Sequence, residues 1–151
     1  MPQKKAQKLL LTIDSCLQDT VLAAMAVRSI CELVSLSPEE INRVELCLVE
    51  VVNNAIIHGY GSESGHAVEI EVRLLAEEAL EIVVSDYGLG LSQDGDGEVD
   101  SDLLAPDPDA PESLMVSGRG LAIVGRLMDS ISYHSSAGRN SFHMVKKLSK
   151  A

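Results

Sequence analysis

Apolar and polar positions alternate along the chain in two rhythms, one of period two and one of helical period. KLLLTID (residues 8–14) alternates as a strand does, and Asp14 and Ser15 end it. From about Thr20 to Leu36 the spacing turns helical, with Val21, Met25, Ile30 and Val34 among the apolar positions. Ser37, Pro38, Glu39 and Glu40 then mark a second helix start: Ser can cap, Pro fits the first turn, and early carboxylates suit the dipole. Glu40, three residues after Ser37, completes a capping box. That helix is predicted to run through ELCLVEVVNNAIIHGYG (45–61) and to stop at Gly59 or Gly61.

Period two returns in AVEIEVRLL (67–75) and ALEIVVSDYG (79–88), separated by a short acidic link, which predicts paired strands. Between Ser92 and Ser117 the pattern fails, with eight acidic residues, no basic ones and three prolines. Such a segment buries too little apolar surface to order itself. It reads either as an acidic disordered loop or, given its place inside a compact domain, as a functional lid. GRGLAIVGRLMDSI (118–131) resumes as a helix, and SISYHSS and NSFHMVKKL, joined across AGRN, read as a terminal hairpin. The order predicts one α+β domain over residues 1–151: a two-layer α/β sandwich with helices on one face of a mixed, mostly antiparallel sheet.

Composition narrows the class. At 151 residues one sizeable core is possible, and with 46% hydrophobic but only 3% aromatic residues that core must be aliphatic. A formal net charge of -11 argues against direct binding of nucleic acid or an anionic membrane and favours a basic protein partner. Cys16, Cys31 and Cys47 are odd in number, lack metal-ligand spacing and lie in apolar segments, which predicts reduced core thiols. With no signal peptide and no apolar run of about 18 residues, the expected compartment is the cytoplasm.

Three constellations carry candidate chemistry. Glu50, Asn54 and His58 are spaced i, i+4, i+8 and predict one polar stripe, with Asn53 at its edge and Val51, Val52, Ala55 and Ile56 opposite. Such a stripe supplies a general base and oxygen ligands for a hard cation; Mg²⁺ prefers oxygen and shares its remaining positions with water and phosphates. A merely solvated face would ordinarily use Lys, Arg and Glu instead. In SDYGLGL (85–91), Asp86 ends a strand and Gly88 and Gly90 follow, so a carboxylate can accept from an exocyclic amine while bare backbone approaches a flat base; an ordinary strand-to-loop turn is the alternative. In SGRGL (117–121), Gly118 and Gly120 open a helix whose free N–H groups favour phosphate, with Arg119 adding charge of the right sign, or else form a tight N-terminal turn. It is neither a Walker loop nor a dinucleotide fingerprint, since Ile123 stands where the third glycine belongs.

In this order the three constellations resemble the ATP-binding module, the Bergerat fold, shared by gyrase, the heat-shock chaperone, histidine kinases and MutL. The ExxxNxIIHGY and SGxGLxIV patterns are most similar to the small bacterial anti-sigma factor serine/threonine kinases, and the likeness covers essentially the whole chain. The resemblance implies a Mg-ATP-dependent protein serine/threonine kinase, typically a homodimer, that binds a sigma factor and phosphorylates a STAS-domain anti-anti-sigma protein. It implies Glu50 as the general base and Asn54 as the Mg²⁺ ligand, with His58 near the phosphates. Asp86 would read the adenine amine, Gly88 and Gly90 would shape the base pocket, and Gly118, Arg119, Gly120 and Leu121 would wrap the phosphates beneath a lid at about 92–117. Departures are Val116, where relatives often carry a basic lid residue, Asn53 in place of a small or hydroxylated neighbour, and Asn140-Ser141 roughly where relatives show Gly-Thr, which makes Ser141 the candidate base-side contact. The alternative is a nucleotide-binding partner-switching regulator that sequesters its partner without kinase activity.

Overall fold

In the computed structural model, residues 6–76, 78–89, 97–99 and 124–148 are described. Strand β1 (Gln7–Asp14) leads into helix α1 (Leu17–Cys31) and helix α2 (Pro38–Asn54), followed by a π-helical turn, Ala55–Gly59. Strands β2 (Ala67–Leu75), β3 (Ala79–Asp86), β4 (Gly97–Val99), β5 (Ser130–Ser136) and β6 (Arg139–Lys147) complete a six-stranded sheet in the order β1-β2-β3-β6-β5-β4. Every pairing among the described strands is antiparallel, so the expected mixed character is not seen there.

The alternation in the sequence explains which face is covered. Val68, Ile70 and Val72 of β2, Leu80, Ile82 and Val84 of β3, and Phe142 and Met144 of β6 are buried beneath the helices. Their neighbours face outward as a charge ladder, in which Lys8 meets Glu71 at 2.8 Å and Arg73 bridges Glu71 at 2.6 Å and Glu81 at 3.5 Å. One face is therefore core and the other is wet, as an antiparallel sheet allows. Cys31 and Cys47 lie in the core as free thiols, and burial pushes them up to about 11 and about 12. No described helix is long and apolar enough to cross a membrane.

Helix α2 starts as its sequence dictates. Ser37 Oγ accepts from the Glu40 N–H and Glu40 Oε1 accepts from the Ser37 N–H, both at 3.1 Å, with Pro38 in the first turn. Its apolar stripe, including Val51 and Val52 and continuing into Ala55 and Ile56, is fully buried. Helix α1 departs from the expected span of Thr20–Leu36: it begins at Leu17, where Asp19 suits the first turn, and ends at Cys31. Its buried stripe is Thr20, Ala23, Ala24, Val27 and Cys31, whereas Val21 and Met25 are exposed. Small side chains let α1 lie close to α2, and Arg28 adds bonds to Asn42 at 2.8 Å and Glu45 at 2.5 Å of that helix.

Two further departures concern regularity. The helix expected to stay α-helical to Gly59 widens after Asn54, where the Tyr60 N–H reaches back five residues to the Ala55 carbonyl at 3.1 Å. The stretch expected to be featureless from Ser92 contributes β4, pairing Gly97 with Ser135 and Val99 with Tyr133. Backbone pairing with the exposed edge of β5 needs no side-chain alternation, so three residues of strand left no trace in the pattern. The rest of the predicted lid, and most of the helix predicted at 118–131, lie outside the described residues; 124–127 is helical.

Candidate functional site

The end of α2 and the end of β3 are stitched together through glycine. An added Cβ on Gly88 would stand 2.0 Å from the Gly59 carbonyl oxygen, and one on Gly59 would stand 2.9 Å from Asp86 Oδ1. The Leu89 N–H donates to the Gly59 carbonyl at 2.8 Å, closing the junction. Tyr60 holds it from the side: its hydroxyl donates to the Ala67 carbonyl at 2.6 Å and accepts from the Tyr87 N–H at 2.7 Å, while its ring stacks on His66. Without side chains at 59 and 88, backbone from the helix and the strand can meet around one carboxylate.

That carboxylate is Asp86, 4% exposed. Its Oδ1 accepts from the Gly88 N–H at 2.9 Å and from Asn140 Nδ2 at 3.0 Å. Burial pushes its pKa above the ordinary carboxylate range, and the two bonds pull it back. Among the described residues Oδ2 receives no hydrogen bond, so this oxygen remains able to accept one.

Just before that junction, the last turns of α2 present the stripe. Glu50 and Asn54 are half-buried and one turn apart. Asn54 Oδ1 is buried with no hydrogen-bond partner among the described residues. Leaving such an oxygen unpaired costs about 1–3 kcal/mol, a penalty that a bound cation or donor would relieve. No group of three His, Cys, Asp or Glu able to hold a metal occurs among the described residues. The Asn54 carboxamide oxygen could serve as a single protein ligand of a hard cation whose other positions water and phosphates would fill.

Asn53 serves the packing of the two helices. Its Oδ1 accepts from the buried Thr20 hydroxyl at 3.0 Å, tying α2 to α1 just beside the stripe. His58, the last member of the i, i+4, i+8 row, falls in the π-helical turn. The π-helical turn shifts the registration past Asn54, and His58 is exposed. Ser141 lies opposite Ser85, their hydroxyls 2.8 Å apart, and does not touch Asp86. The residue that does is Asn140, paired across from Asp86. Its signal was present in the sequence: a carboxamide in the phase of β6 that otherwise buries Phe142 and Met144. Gly90, Gly118, Arg119, Gly120 and Leu121, with Val116, lie outside the described residues.

The family model described as "Histidine kinase-like ATPase domain" matches residues 14–146. Among curated proteins, the chain is similar to "Anti-sigma F factor" of Oceanobacillus iheyensis, 32% identical over 142 residues that cover 93% of this chain and 92% of that relative. It is likewise similar to "Anti-sigma F factor" of Priestia megaterium, 31% identical over 130 residues covering 86% of this chain and 84% of the relative. A solved structure, of the RsbU and RsbW domains of Rv1364c from Mycobacterium tuberculosis, superposes with a TM-score of 0.66 at 17% identity, covering 96% of this chain and 33% of that one, and supports the fold.

Proposed function

Because the chain belongs to the histidine kinase-like ATPase domain family, in its anti-sigma-factor branch, we propose that it is a Mg-ATP-dependent protein serine/threonine kinase acting as an anti-sigma factor. Its protein partners in this reading are a sigma factor, which it sequesters, and a STAS-domain antagonist, whose Ser or Thr it phosphorylates. A homodimer is the working assembly and the cytoplasm its compartment. The observation that carries the nucleotide half of the reading is the unpartnered Asn54 Oδ1, at the end of α2 that runs through the π-helical turn into the Gly59 junction beside Asp86.

In this mechanism Asp86 accepts a hydrogen bond from the adenine amine, while the Gly59–Gly88 junction lets backbone lie close to the base. Asn54 would hold Mg²⁺ through its carboxamide oxygen; when bound, the ion supplies charge neutralisation for the phosphates. Glu50, one turn earlier, accepts the proton of the attacking hydroxyl and aims it. Gly118, Arg119, Gly120 and Leu121 would enclose the phosphates, and Gly90 would extend the base pocket. Little covalent work falls to the protein, so positioning and electrostatics dominate. His58, exposed in the π-helical turn, would lie near the phosphates, and Ser141, whose hydroxyl meets that of Ser85, would be a base-side contact.

The test is to incubate the protein with γ-labelled ATP, Mg²⁺ and a panel of STAS domains, in parallel with sigma-factor binding. Label on a STAS Ser or Thr supports the kinase; tight sigma binding without transfer would leave a sequestering regulator.

A further inference from the structure

Asn140, noted in the sequence only as a departure beside Ser141, is 3% exposed and sits directly across from Asp86 in the β3–β6 register. Three of the four hydrogen bonds that its carboxamide can form are made, both donors among them. Nδ2 donates to Asp86 Oδ1 at 3.0 Å and to the Gly88 carbonyl at 2.9 Å, and Oδ1 accepts from Ser135 Oγ at 2.6 Å. The opposite flip would set the carboxamide oxygen against a carboxylate and a carbonyl, so the surroundings dictate the orientation. Asp86 Oδ1 is thereby saturated, since it also receives the Gly88 N–H at 2.9 Å.

We propose that Asn140 is the positioning residue for base recognition: it pins one oxygen of Asp86 and the Gly88 carbonyl, leaves the other Asp86 oxygen as a pure acceptor, and so selects a 6-amino purine over a 6-oxo purine. This rests on the nucleotide reading of the site. The chemistry is direct. A 6-amino group donates, and an ionised carboxylate held in plane can only accept; a 6-oxo group needs a donor, which Asp86 offers only when protonated. Asn140 favours the ionised form, because one of its N–H groups donates to Asp86 Oδ1. Among the described residues, the groups packed on Asp86 bring no other charge: β6 offers the neutral Asn140, the loop after β3 offers the Gly88 N–H, and the helix end offers the Tyr60 phenol, raised by burial and further by the Asp86 charge.

Adenosine and inosine triphosphates differ in this respect at the 6-position and are the probes. Calorimetric affinities for both, with Mg²⁺, are measured between about pH 5.5 and 8 for the wild type, Asn140→Ala and Ser135→Ala. Asn140→Ala is expected to lose about tenfold in ATP affinity, in line with removing a bond to a charged group. Its ATP-to-ITP preference narrows, and its ATP affinity begins to fall at a higher pH than in the wild type. Ser135→Ala, which removes only the bond orienting the carboxamide, shifts all three readouts the same way by less, and it carries the test if Asn140→Ala does not fold. A purely structural role would weaken both nucleotides alike and leave the pH profile in place; that outcome, or unchanged binding, overturns the proposal. A wild type that binds neither nucleotide overturns the reading beneath it as well.

Discussion

Replacing Gly88 with Ala tests the junction on which the base end of the site depends. The new Cβ would stand 2.0 Å from the Gly59 carbonyl oxygen and 2.4 Å from its carbon, where real Cβ atoms essentially never come closer than 3.0 Å. The obstacle is backbone, so relief requires the helix end and the strand end to separate by roughly an ångström. That motion strains the 2.8 Å bond from Leu89 N–H to Gly59 and the 2.9 Å bond from Gly88 N–H to Asp86. Overpacking costs about 1–3 kcal/mol, and a lost bond to a charged group about 1.5–3. These effects overlap, so about 3 kcal/mol is the expected loss. With an m value of about 1.5 kcal/mol/M, the urea midpoint falls by about 2 M. ATP affinity should fall with it, since Asp86 loses one of its anchors. Gly61→Ala is the matched control: Gly61 has φ +60 but nothing within 4 Å of an added Cβ, so only strain of about 1 kcal/mol is expected, with ATP binding unaffected. A Gly88→Ala protein that unfolds at the wild-type urea concentration and binds ATP normally would falsify the stitched junction.

Other consequences are separable. Thr20→Val removes the hydroxyl that Asn53 accepts from and leaves a carboxamide oxygen unpaired, lowering stability by about 1–2 kcal/mol in urea unfolding while sparing Asp86. Asp86 titrates above the ordinary carboxylate range, so ATP affinity should decline on acidification sooner than for an exposed Asp; Asp86→Asn binds more weakly and abolishes that dependence in calorimetry. The same raised pKa makes its contribution to stability favourable at low pH and lost as pH rises through the folded value. Cys31 and Cys47, pushed up to about 11 and about 12 by burial, should resist alkylation at pH 8 until urea unfolds the chain, which mass spectrometry reads directly.

The strands and the α2 start were legible because each rests on local chemistry: alternation in β2 and β3, a cap and its reciprocal carboxylate at Ser37 and Glu40. The core side of α2 was legible for the same reason, as Val51, Val52, Ala55 and Ile56 are all buried. What escaped was non-local or irregular. A π-helical turn alters the geometry without altering the residue pattern, so the widening after Asn54 that carries His58 was not legible. On α1 the apolar spacing marked a helix but not its core face: Val21 and Met25 are exposed, and the Thr20–Ala23–Ala24–Val27 side is buried, because close helix packing favours small side chains. Asn53 and Asn140 looked alike, as stray carboxamides, until their partners came from elsewhere in the chain: Thr20 for one, Asp86, Gly88 and Ser135 for the other.

The central claim is that α2 divides binding from chemistry, Asn54 serving the Mg-nucleotide and Glu50 the attacking hydroxyl. The most direct measurement sets Mg-ATP affinity beside single-turnover phosphoryl transfer to a STAS-domain acceptor for the wild type, Glu50→Gln and Asn54→Ala. Glu50→Gln should keep affinity within about threefold while transfer falls by about 10²-fold or more, as for loss of a general base. Asn54→Ala should lose Mg²⁺-dependent affinity itself. Transfer that survives Glu50→Gln undiminished, or Mg-ATP affinity that survives Asn54→Ala, would contradict the account.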